Sequence, residues 1–426
     1  MKQNKYETIR RNKRLISLAV VFVFFSVCTG TAYAVSDESA LELAVANSLV
    51  PSETTSLETQ AEQSSETANR VITENAEEAN AQKTELNDRL SEETADNGTL
   101  IENSDASIPI NEANFPDPAF RDYVSKNFDT NHDGTLSEAE RYGVTRISVA
   151  GQGITNMTGI ALFPELDYLY CDRNDIAELD TSGNLKLTYL SCSSNPLHTL
   201  NISQNSKLQT LEVWDASRLQ SLDVSHCPEL KAFSFGSMPM SYIDLSANTN
   251  LTYLNYYGGS LEYLDLSHNP RLQQLICSAS LIHTLDLSHN PELISLGLNG
   301  GLLSTLNLED NANINDVDAR DNQLVSIHGN ASTAQRTVAS NLSGQKTRII
   351  GLSEGSASFD MSRIDPLFAD GTILNLESAA LNGSVLSDLT VGTPVRYTYQ
   401  SDGFSLEASL EVTNGNLWTQ PLTMDG

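Results

Sequence analysis

Apolar residues between positions 166 and 324 recur with a period of 21 or 22 residues. Each unit contains a leucine, two spacer residues, a second leucine, one spacer and a third apolar residue, and this order returns half a unit later. Because one unit is too short to bury its own apolar side chains, neighbouring units must stack. The pattern predicts a solenoid whose parallel strands pair from coil to coil. The leading apolar position is filled by Leu166, Leu187, Leu208, Leu230, Leu251, Leu272, Leu293 and Ile314 in the first half, and by Ile176, Leu197, Leu219, Met240, Leu261, Ile282, Leu303 and Leu324 in the second.

One further repeated position follows the apolar residues of each half unit, here called the asparagine column. In the second half this position is nearly always asparagine, whereas in the first half the residue varies from coil to coil. This order of leucines and asparagines resembles the leucine-rich repeat, and the resemblance implies a β-rich superhelix in which the asparagines satisfy buried backbone groups at the turns. The second-half column is Asn184, Asn205, Cys227, Asn248, Asn269, Asn290 and Asn311, and the first-half column is Asn174, Asn195, Ala216, Met238, Gly259, Ser280, Gly301 and Asn322.

The two ends of the chain differ from the repeats. Residues 1–34 combine a basic start, an apolar run and the small-residue site Ala32, Tyr33, Ala34, which predicts a secretory signal peptide and an extracellular or cell-surface protein. Residues 35–108 contain few branched apolar side chains and no aromatic ones, so we expect a disordered acidic spacer. Residues 331–426 contain strand-like runs separated by Gly, Asn and Asp turns, which predicts a C-terminal β-sandwich-like, Ig-like module.

Charge narrows the range of partners. The chain has a formal net charge of −30, and about −35 without residues 1–34. Such a charge repels phosphate backbones and anionic lipids, so we expect neither nucleic-acid binding nor direct membrane binding. We expect a monomer whose partner is neutral or cationic.

Four cysteines remain after the predicted signal peptide. Cys171, Cys192 and Cys277 occupy the third apolar position of the first half unit, and Cys227 lies in the asparagine column. We interpret them as small, inward-facing hydrophobic residues that form a partial cysteine ladder. A disulfide between Cys171 and Cys192 is the alternative, although neighbouring parallel strands point their Cβ atoms in the same direction.

A calcium-type loop precedes the repeats. Calcium requires six to eight oxygen ligands, and the loop spacing of an EF-hand supplies them around a sharp glycine turn. The alternative is a helix–turn–helix in which Ser137 and Glu140 form a capping box. Asp129, Asn131, Asp133, Gly134, Thr135, Ser137 and Glu140 stand at positions 1, 3, 5, 6, 7, 9 and 12 of such a loop, and all except Gly134 are the predicted calcium ligands.

A solenoid needs a cover over its first core layer, and residues 109–143 are expected to form that helical N-terminal cap. The complete order comprises the signal, spacer, calcium-type cap, repeats at 144–330 and terminal β module. It resembles internalin-type surface proteins of Gram-positive bacteria. The resemblance implies a non-enzymatic recognition or adhesion protein for a host or neighbouring-cell surface protein or glycan.

The outward strand positions indicate where a partner would bind. Those of the second half repeat a regular Asp and Ser pattern, which we interpret as structural, with a cation-binding stripe as the alternative. Those of the first half vary and are rich in aromatic residues, so we predict recognition there, on the concave sheet if the resemblance holds. The predicted partner-binding residues are Tyr168, Tyr170, Tyr189, Glu212, Trp214, Tyr253, Asn255 and Tyr257.

A catalytic constellation is not apparent in the sequence. His226, His268 and His289 recur once per coil in the same context, which marks a turn consensus rather than a metal site. The competing function is a secreted hydrolase or hydrolase-accessory protein with its activity in the C-terminal module. Its candidate residues are Asp360, Asp365 and Asp370.

Overall fold

The computed structural model describes residues 107–330, 332 and 339–415. The predicted signal peptide and nearly all of the predicted spacer lie outside the described residues. The first elements are β1 (Ile108–Pro109), α1 (Pro118–Asn127), β2 (Thr135–Leu136) and α2 (Glu138–Tyr142). Helix α1 begins where the Asp117 carboxylate accepts hydrogen bonds from the N–H groups of Ala119 and Phe120, with proline at the first helical position.

The repeats form short strands joined by turns. A 3₁₀ helix, Ile160–Leu162, precedes the second of them. The strands are β3 (Arg146–Ser148), β4 (Tyr168–Tyr170), β5 (Glu178–Asp180), β6 (Tyr189–Ser191), β7 (Thr199–Asn201), β8 (Thr210–Trp214), β9 (Ala232–Gly236), β10 (Tyr253–Tyr257), β11 (Gln274–Ser278), β12 (Ser295–Gly297), β13 (Thr305–Asn307), β14 (Asp316–Asp318), β15 (Ser326–His328) and β16 (Ala339–Asn341).

One strand from each first half joins a ten-stranded parallel sheet in the order β3-β4-β6-β8-β9-β10-β11-β12-β14-β16. Second-half strands pair only in short parallel ladders, β5 with β7 and β13 with β15. The sixteen leading apolar residues predicted from the repeat are all buried. The predicted solenoid and its register are therefore confirmed.

The asparagine column explains how the turns tolerate burial. The Nδ2 group of Asn269 donates to the carbonyls of Leu245 and Asn248, at 3.1 and 2.9 Å. The same pair of bonds, to residues 24 and 21 positions earlier, recurs at Asn248, Asn290 and Asn311. Each side chain satisfies two carbonyls that would otherwise be buried without a partner, as predicted.

The first-half turns also need an acceptor for a buried backbone N–H, and either an asparagine or another side chain supplies it. Asn174, Asn195 and Asn322 each accept a backbone N–H from the preceding coil through Oδ1. In the coil of Gly259 the Tyr256 hydroxyl accepts the N–H of Leu261 at 3.0 Å instead. An added Cβ at Gly259 would lie 2.9 Å from that hydroxyl, so the small residue leaves room for the ring.

Residues 107–143 pack against the first coil. Phe115 contacts Phe120 and Phe163, and Phe128 contacts Phe163, with ring centroids 5.8, 6.2 and 5.2 Å apart. Phe115, Phe120 and Phe163 are fully buried. The Asp117 carboxylate also accepts the N–H and hydroxyl of Thr155 at 2.8 Å, which joins the start of α1 to the solenoid.

The C-terminal region forms two sheets. Its strands are β17 (Arg348–Leu352), β18 (Phe359–Asp360), β19 (Thr372–Glu377), β20 (Ala380–Asn382), β21 (Val385–Ser387), β22 (Val395–Ser401) and β23 (Phe404–Asn414). The four-stranded sheet has the order β17-β23-β22-β19 and the three-stranded sheet the order β18-β21-β20. Two 3₁₀ helices, Met361–Arg363 and Phe368–Asp370, lie between β18 and β19 in the chain.

The four cysteines in the described residues are buried and free of disulfide bonds. Burial raises the pKa of Cys277 to about 12 and that of Cys227 to about 11. These thiols are therefore uncharged hydrophobic groups at neutral pH. Within the same described residues, no helix combines the length and apolar character needed to cross a membrane.

Candidate recognition surface

The variable side chains of the first half share one side of the ten-stranded sheet, here called the outer face. Strand register aligns them in columns that run across the coils. The first column contains Arg146, Tyr168, Tyr189, Thr210, Ala232, Tyr253, Gln274, Ser295 and Asp316. The second contains Ser148, Tyr170, Ser191, Glu212, Ser234, Asn255, Ile276, Gly297 and Asp318.

Aromatic stacking orders the start of the first column. The rings of Tyr168 and Tyr189 stack with centroids 4.3 Å apart and planes at 10°. The Arg146 guanidinium lies 3.8 Å from the centroid of the Tyr168 ring, within the range of a cation–π contact. Both tyrosines are half-buried. The stack is a fixed platform that already accommodates one guanidinium.

A third, shorter column forms where β8 to β11 are longest. It aligns Trp214, Gly236, Tyr257 and Ser278. Gly236 has φ 155°, and an added Cβ would lie 2.2 Å from the Tyr257 carbonyl oxygen and 2.9 Å from the Trp214 ring. The absence of a side chain at position 236 therefore allows the indole to lie against the sheet. Tyr257 is 52% exposed and is the most accessible aromatic residue of the predicted set.

Two acidic side chains meet between these columns. The Ser191 hydroxyl oxygen lies 2.7 Å from Oδ1 of Asp172 and 3.3 Å from Oε2 of Glu212. The N–H of Ser193 also donates to Asp172, at 2.8 Å. Burial raises the pKa of Asp172 to about 6. Burial, together with the charge of Asp172, raises the pKa of Glu212 to about 7.

The hydroxyl of Tyr189 faces the same carboxylates. Its oxygen is buried and interacts with Ser191 and Glu212. Burial first, and then the negative charge of Glu212, raise the pKa of Tyr189 well above its ordinary value. Asp172, Ser191, Glu212 and Tyr189 are here called the acidic recess. They come from three coils that are adjacent in the sheet.

The predicted partner-binding residues therefore lie on one face but at different depths. Tyr168, Tyr170, Tyr189, Glu212 and Trp214 are half-buried, and Tyr257 is exposed. Tyr253 and Asn255 are only 8% and 9% exposed, because Asn255 donates to the Tyr253 hydroxyl at 3.0 Å. These two residues support the face more than they extend from it.

Sequence reasoning did not include Asp172, Ser191 and Arg146 among the site residues. Asp172 lies just past the end of β4, where the alternation of a strand no longer gives its direction. The signal for Ser191 was its register between Tyr170 and Glu212, which the 21-residue period already fixes. Arg146 precedes the first regular repeat and is recognised only once β3 pairs with β4.

The regular acidic column of the second half has a local role. In Asp223, Asp244, Asp265 and Asp286, Oδ1 accepts the N–H of the serine two residues later at 2.9 Å. Hydrogen bonds from those serines lower the pKa of each aspartate. The side chains thus close turns, which supports the structural interpretation. His226, His268 and His289 lie in the same turns, each beside the preceding serine hydroxyl.

The calcium-type loop makes a sharp turn between α1 and α2. His132 and Gly134 have φ of 58° and 79°, and Leu136 pairs with Ile108 across the β1–β2 ladder. The Asp129 carboxylate accepts the N–H groups of Asp133 and Gly134 at 3.1 and 3.0 Å. These hydrogen bonds hold the turn closed.

Glu140 is engaged within the loop. It forms the capping box with Ser137, and its Oε1 accepts the N–H and hydroxyl of Thr130 at 2.7 Å. Burial opposes ionisation, but hydrogen bonds from Ser137 and Thr130 lower the pKa of Glu140 to about 2. Among the described residues, no three His, Cys, Asp or Glu side chains are arranged to hold a metal ion. The backbone and the oxygen-rich donor set fit calcium, whereas the present side-chain hydrogen bonds satisfy the capping box.

Asp360 and Asp365 of the C-terminal module each have a partner within the fold. Asp360 caps a 3₁₀ helix by accepting the N–H of Ser362, at 3.0 Å. Asp365 is 4% exposed and pairs with His328, the last residue of β15, at 2.8 Å. The Tyr397 hydroxyl donates to the Val325 carbonyl at the same junction. These groups join the module to the final coil.

No protein-family model matches the chain, and no curated protein matches its sequence. Solved structures of Listeria monocytogenes proteins are similar to it. The functional domain of InlJ, which includes a cysteine ladder, is 19% identical, with 72% of this chain and 99% of that chain covered and a TM-score of 0.30. InlP is 15% identical over the same shares, with a TM-score of 0.47. The internalin InlF is 17% identical, with 60% and 82% covered and a TM-score of 0.43. By its own coils and sheet, the described chain is a leucine-rich repeat solenoid.

Proposed function

We propose that this chain is an extracellular recognition or adhesion protein of a Gram-positive bacterium, which binds a host or neighbouring-cell surface protein or glycan through the outer face of the ten-stranded sheet. The observation that carries the proposal is the contrast between the two halves of the repeat. The second half repeats one turn-closing side chain, whereas the outer face changes its chemistry at each coil. Variation on a regular scaffold is what selective binding requires.

The outer face also has the physical properties of a binding surface. Trp214 and Tyr257 offer large contact areas, and their strands hold them in place before any partner arrives. The outer face therefore loses less conformational entropy on binding than a flexible loop would lose. Aromatic anchors around a desolvated centre are typical of interfaces in which a few residues supply most of the binding energy.

Binding explains the arrangement better than catalysis does. The hydrogen-bonded pair of His328 and Asp365 is buried at a junction, with side chains 3% and 5% exposed. A hydrolase needs its acid and base to reach a substrate, so these groups are poorly located for that chemistry. We therefore propose a non-enzymatic protein and retain hydrolase activity in the terminal module as the alternative.

We also propose that calcium stabilises the cap. Asp129, Asn131, Asp133, Thr135, Ser137 and Glu140 are the residues that would hold the ion. A bound Ca²⁺ would supply a charge that neutralises the loop carboxylates and adds folding free energy by binding only the folded loop. The positive φ angles at His132 and Gly134 and the pairing of Leu136 with Ile108 support this proposal.

The test of recognition compares the chain with a variant that carries Tyr170→Ala, Trp214→Ala and Tyr257→Ala. Both are applied to arrays of mammalian and bacterial glycans and to intact cell surfaces. The matched control is the double variant Tyr242→Ala and Tyr263→Ala, which removes two stacked tyrosines, 50% and 49% exposed, from the second half of the repeat. We expect the triple variant to lose binding and the control to retain it. Equal binding by the triple variant and the original chain would contradict the proposal.

A further inference from the structure

The acidic recess contains more negative charge than its surroundings balance. Asp172 is 8% exposed and Glu212 is half-buried beside it. Among the described residues, Arg173 is the only basic group that acts on Asp172, and its effect is smaller than those of burial and of the hydrogen bonds from Ser191 and Ser193. Glu212 accepts hydrogen bonds from Ser191 and Tyr189 and is repelled by Asp172, and no basic group in the part of the chain that the structure describes acts on it. Desolvated carboxylates without a cation lower the stability of a fold.

We propose that the acidic recess receives an arginine side chain from a protein partner, with the guanidinium held by Glu212 and Asp172 and flanked by the Tyr189 ring. This proposal rests on the proposed function, because it names the chemistry of a partner at the same face. It commits to a protein with an exposed arginine, and a neutral glycan then becomes an outcome of the test.

Hydrogen-bond demand favours a guanidinium. Ser191 has one proton to share between Asp172 and Glu212, and the Tyr189 hydroxyl has one more. Two carboxylates offer more acceptor sites than these two protons fill. A guanidinium has five N–H donors in one plane and no acceptor. It can donate to a hydroxyl oxygen and to two carboxylates at once, whereas a single water molecule cannot supply as many donors.

The stacked tyrosines favour the same ligand. Arg146 already lies over one end of the Tyr168–Tyr189 stack, at 3.8 Å from the first ring. The next position in that column is Thr210, whose side chain is far smaller than a tyrosine ring. Glu212 follows two residues later on the same strand and face. A second guanidinium above Thr210 would therefore have an aromatic neighbour on one side and a carboxylate within its reach.

Ionisation in the recess agrees with this geometry. Burial raises the pKa of Glu212 to about 7 and that of Asp172 to about 6, so the charged forms lack compensation in the free protein. An entering cation would favour the ionised carboxylates and release protons at neutral pH. Other titratable groups that interact with the recess residues are Tyr168, Tyr170, Cys171, Arg173, Cys192 and Tyr253.

The test uses N-acetyl-arginine methylamide and its neutral isostere N-acetyl-citrulline methylamide as probes. Binding of each to the full chain is measured by saturation-transfer NMR at pH 7.5. We expect saturable binding of the arginine probe and at least tenfold weaker binding of the citrulline probe. Glu212→Gln should weaken the arginine probe at least tenfold. Glu262→Gln, which makes the same change at an exposed position of the second half, should leave it unchanged.

Three outcomes would overturn the inference. They are no binding of the arginine probe, equal binding of the two probes, or equal loss in both glutamine variants, each with folding verified by thermal melting. These outcomes are distinct from failure of the proposed function. If Glu212→Gln keeps cell-surface binding while the aromatic triple variant loses it, the outer face is the recognition surface but the recess does not receive an arginine of the partner. If the triple variant keeps cell-surface binding while the arginine probe still requires Glu212, the recess binds cations and the proposed face is wrong.

Discussion

Asp172 and Glu212 lie on either side of one hydroxyl group, that of Ser191. The hydroxyl has a single proton, and its bond to Asp172, at 2.7 Å, is the shorter of the two. Glu212 lies at 3.3 Å and accepts the weaker bond from it. Burial and the charge of Asp172 outweigh that bond and raise the pKa of Glu212. The centre of the outer face is therefore a place where buried carboxyl groups lower the stability of the fold.

The first prediction follows from this relationship. The pKa of Glu212 is about 7 in the folded chain and 4.5 in an ordinary exposed glutamate. A raised pKa contributes stability that is fully present below pH 4.5, decreases above it and is lost as the pH rises through 7. Glu212→Gln should therefore raise the free energy of unfolding by about 2 kcal/mol at pH 8 and change it little at pH 4.5. Thermal melting across this pH range measures the effect, and a destabilised variant at pH 8 would refute it.

The second prediction concerns the space beneath Trp214. Gly236→Ala should lower the free energy of unfolding by about 3 kcal/mol, because the new Cβ would lie 2.2 Å from the Tyr257 carbonyl oxygen. Gly258→Ala in the next coil is the control. Its φ is 65°, but the nearest atom to an added Cβ is 3.9 Å away, so it should cost only about 1 kcal/mol. Chemical denaturation compares the two, and equal losses would show that the indole does not depend on Gly236.

The third prediction concerns the asparagine column. Asn269→Ala would leave the carbonyls of Leu245 and Asn248 buried without donors. We expect a loss of about 3 kcal/mol in the free energy of unfolding. Asn313→Ala provides the comparison, because that exposed side chain donates a single bond to the Pro291 carbonyl. It should cost less than about 1 kcal/mol. Similar denaturation midpoints for the two variants would contradict the role given to the column.

The fourth prediction tests calcium in the cap. Added Ca²⁺ should raise the melting temperature of the chain, and Glu140→Gln should abolish that rise. Glu140→Gln also weakens the capping box, so its melting temperature without calcium is measured separately. Glu138→Gln is the control in the same helix, outside the ligand spacing. Identical melting curves of the original chain with Ca²⁺ and with a chelator would exclude the proposal.

The repeat made the fold predictable because its period fixes which residues pair and which face they share. Leu187, Leu208 and Leu230 are buried where the pattern predicted them. The sheet continues to Asn341, past the last regular leucine, because β16 pairs with β14 although its residues do not follow the repeat pattern. The repeat pattern therefore does not predict that extension.

The candidate site was predictable in location but not in depth. Register alone brings Tyr170, Ser191 and Glu212 into one column. The burial that raises the pKa of Glu212 depends on neighbours from other coils and on side-chain packing, which alternation does not encode. The same limit applies to His328 and Asp365, which lie 37 residues apart and meet only when the module packs on the final coil.

The outer face as a recognition surface is tested most directly by crosslinking from it. A photoreactive benzoylphenylalanine replaces Tyr257 in one variant and Tyr263 in another. Tyr257 lies on the outer face and Tyr263 outside that sheet, and their exposed fractions are 52% and 49%. Both variants are irradiated on intact cells to which the original chain binds. We expect a discrete covalent adduct from position 257 and none from position 263. An adduct from position 263 alone would contradict it.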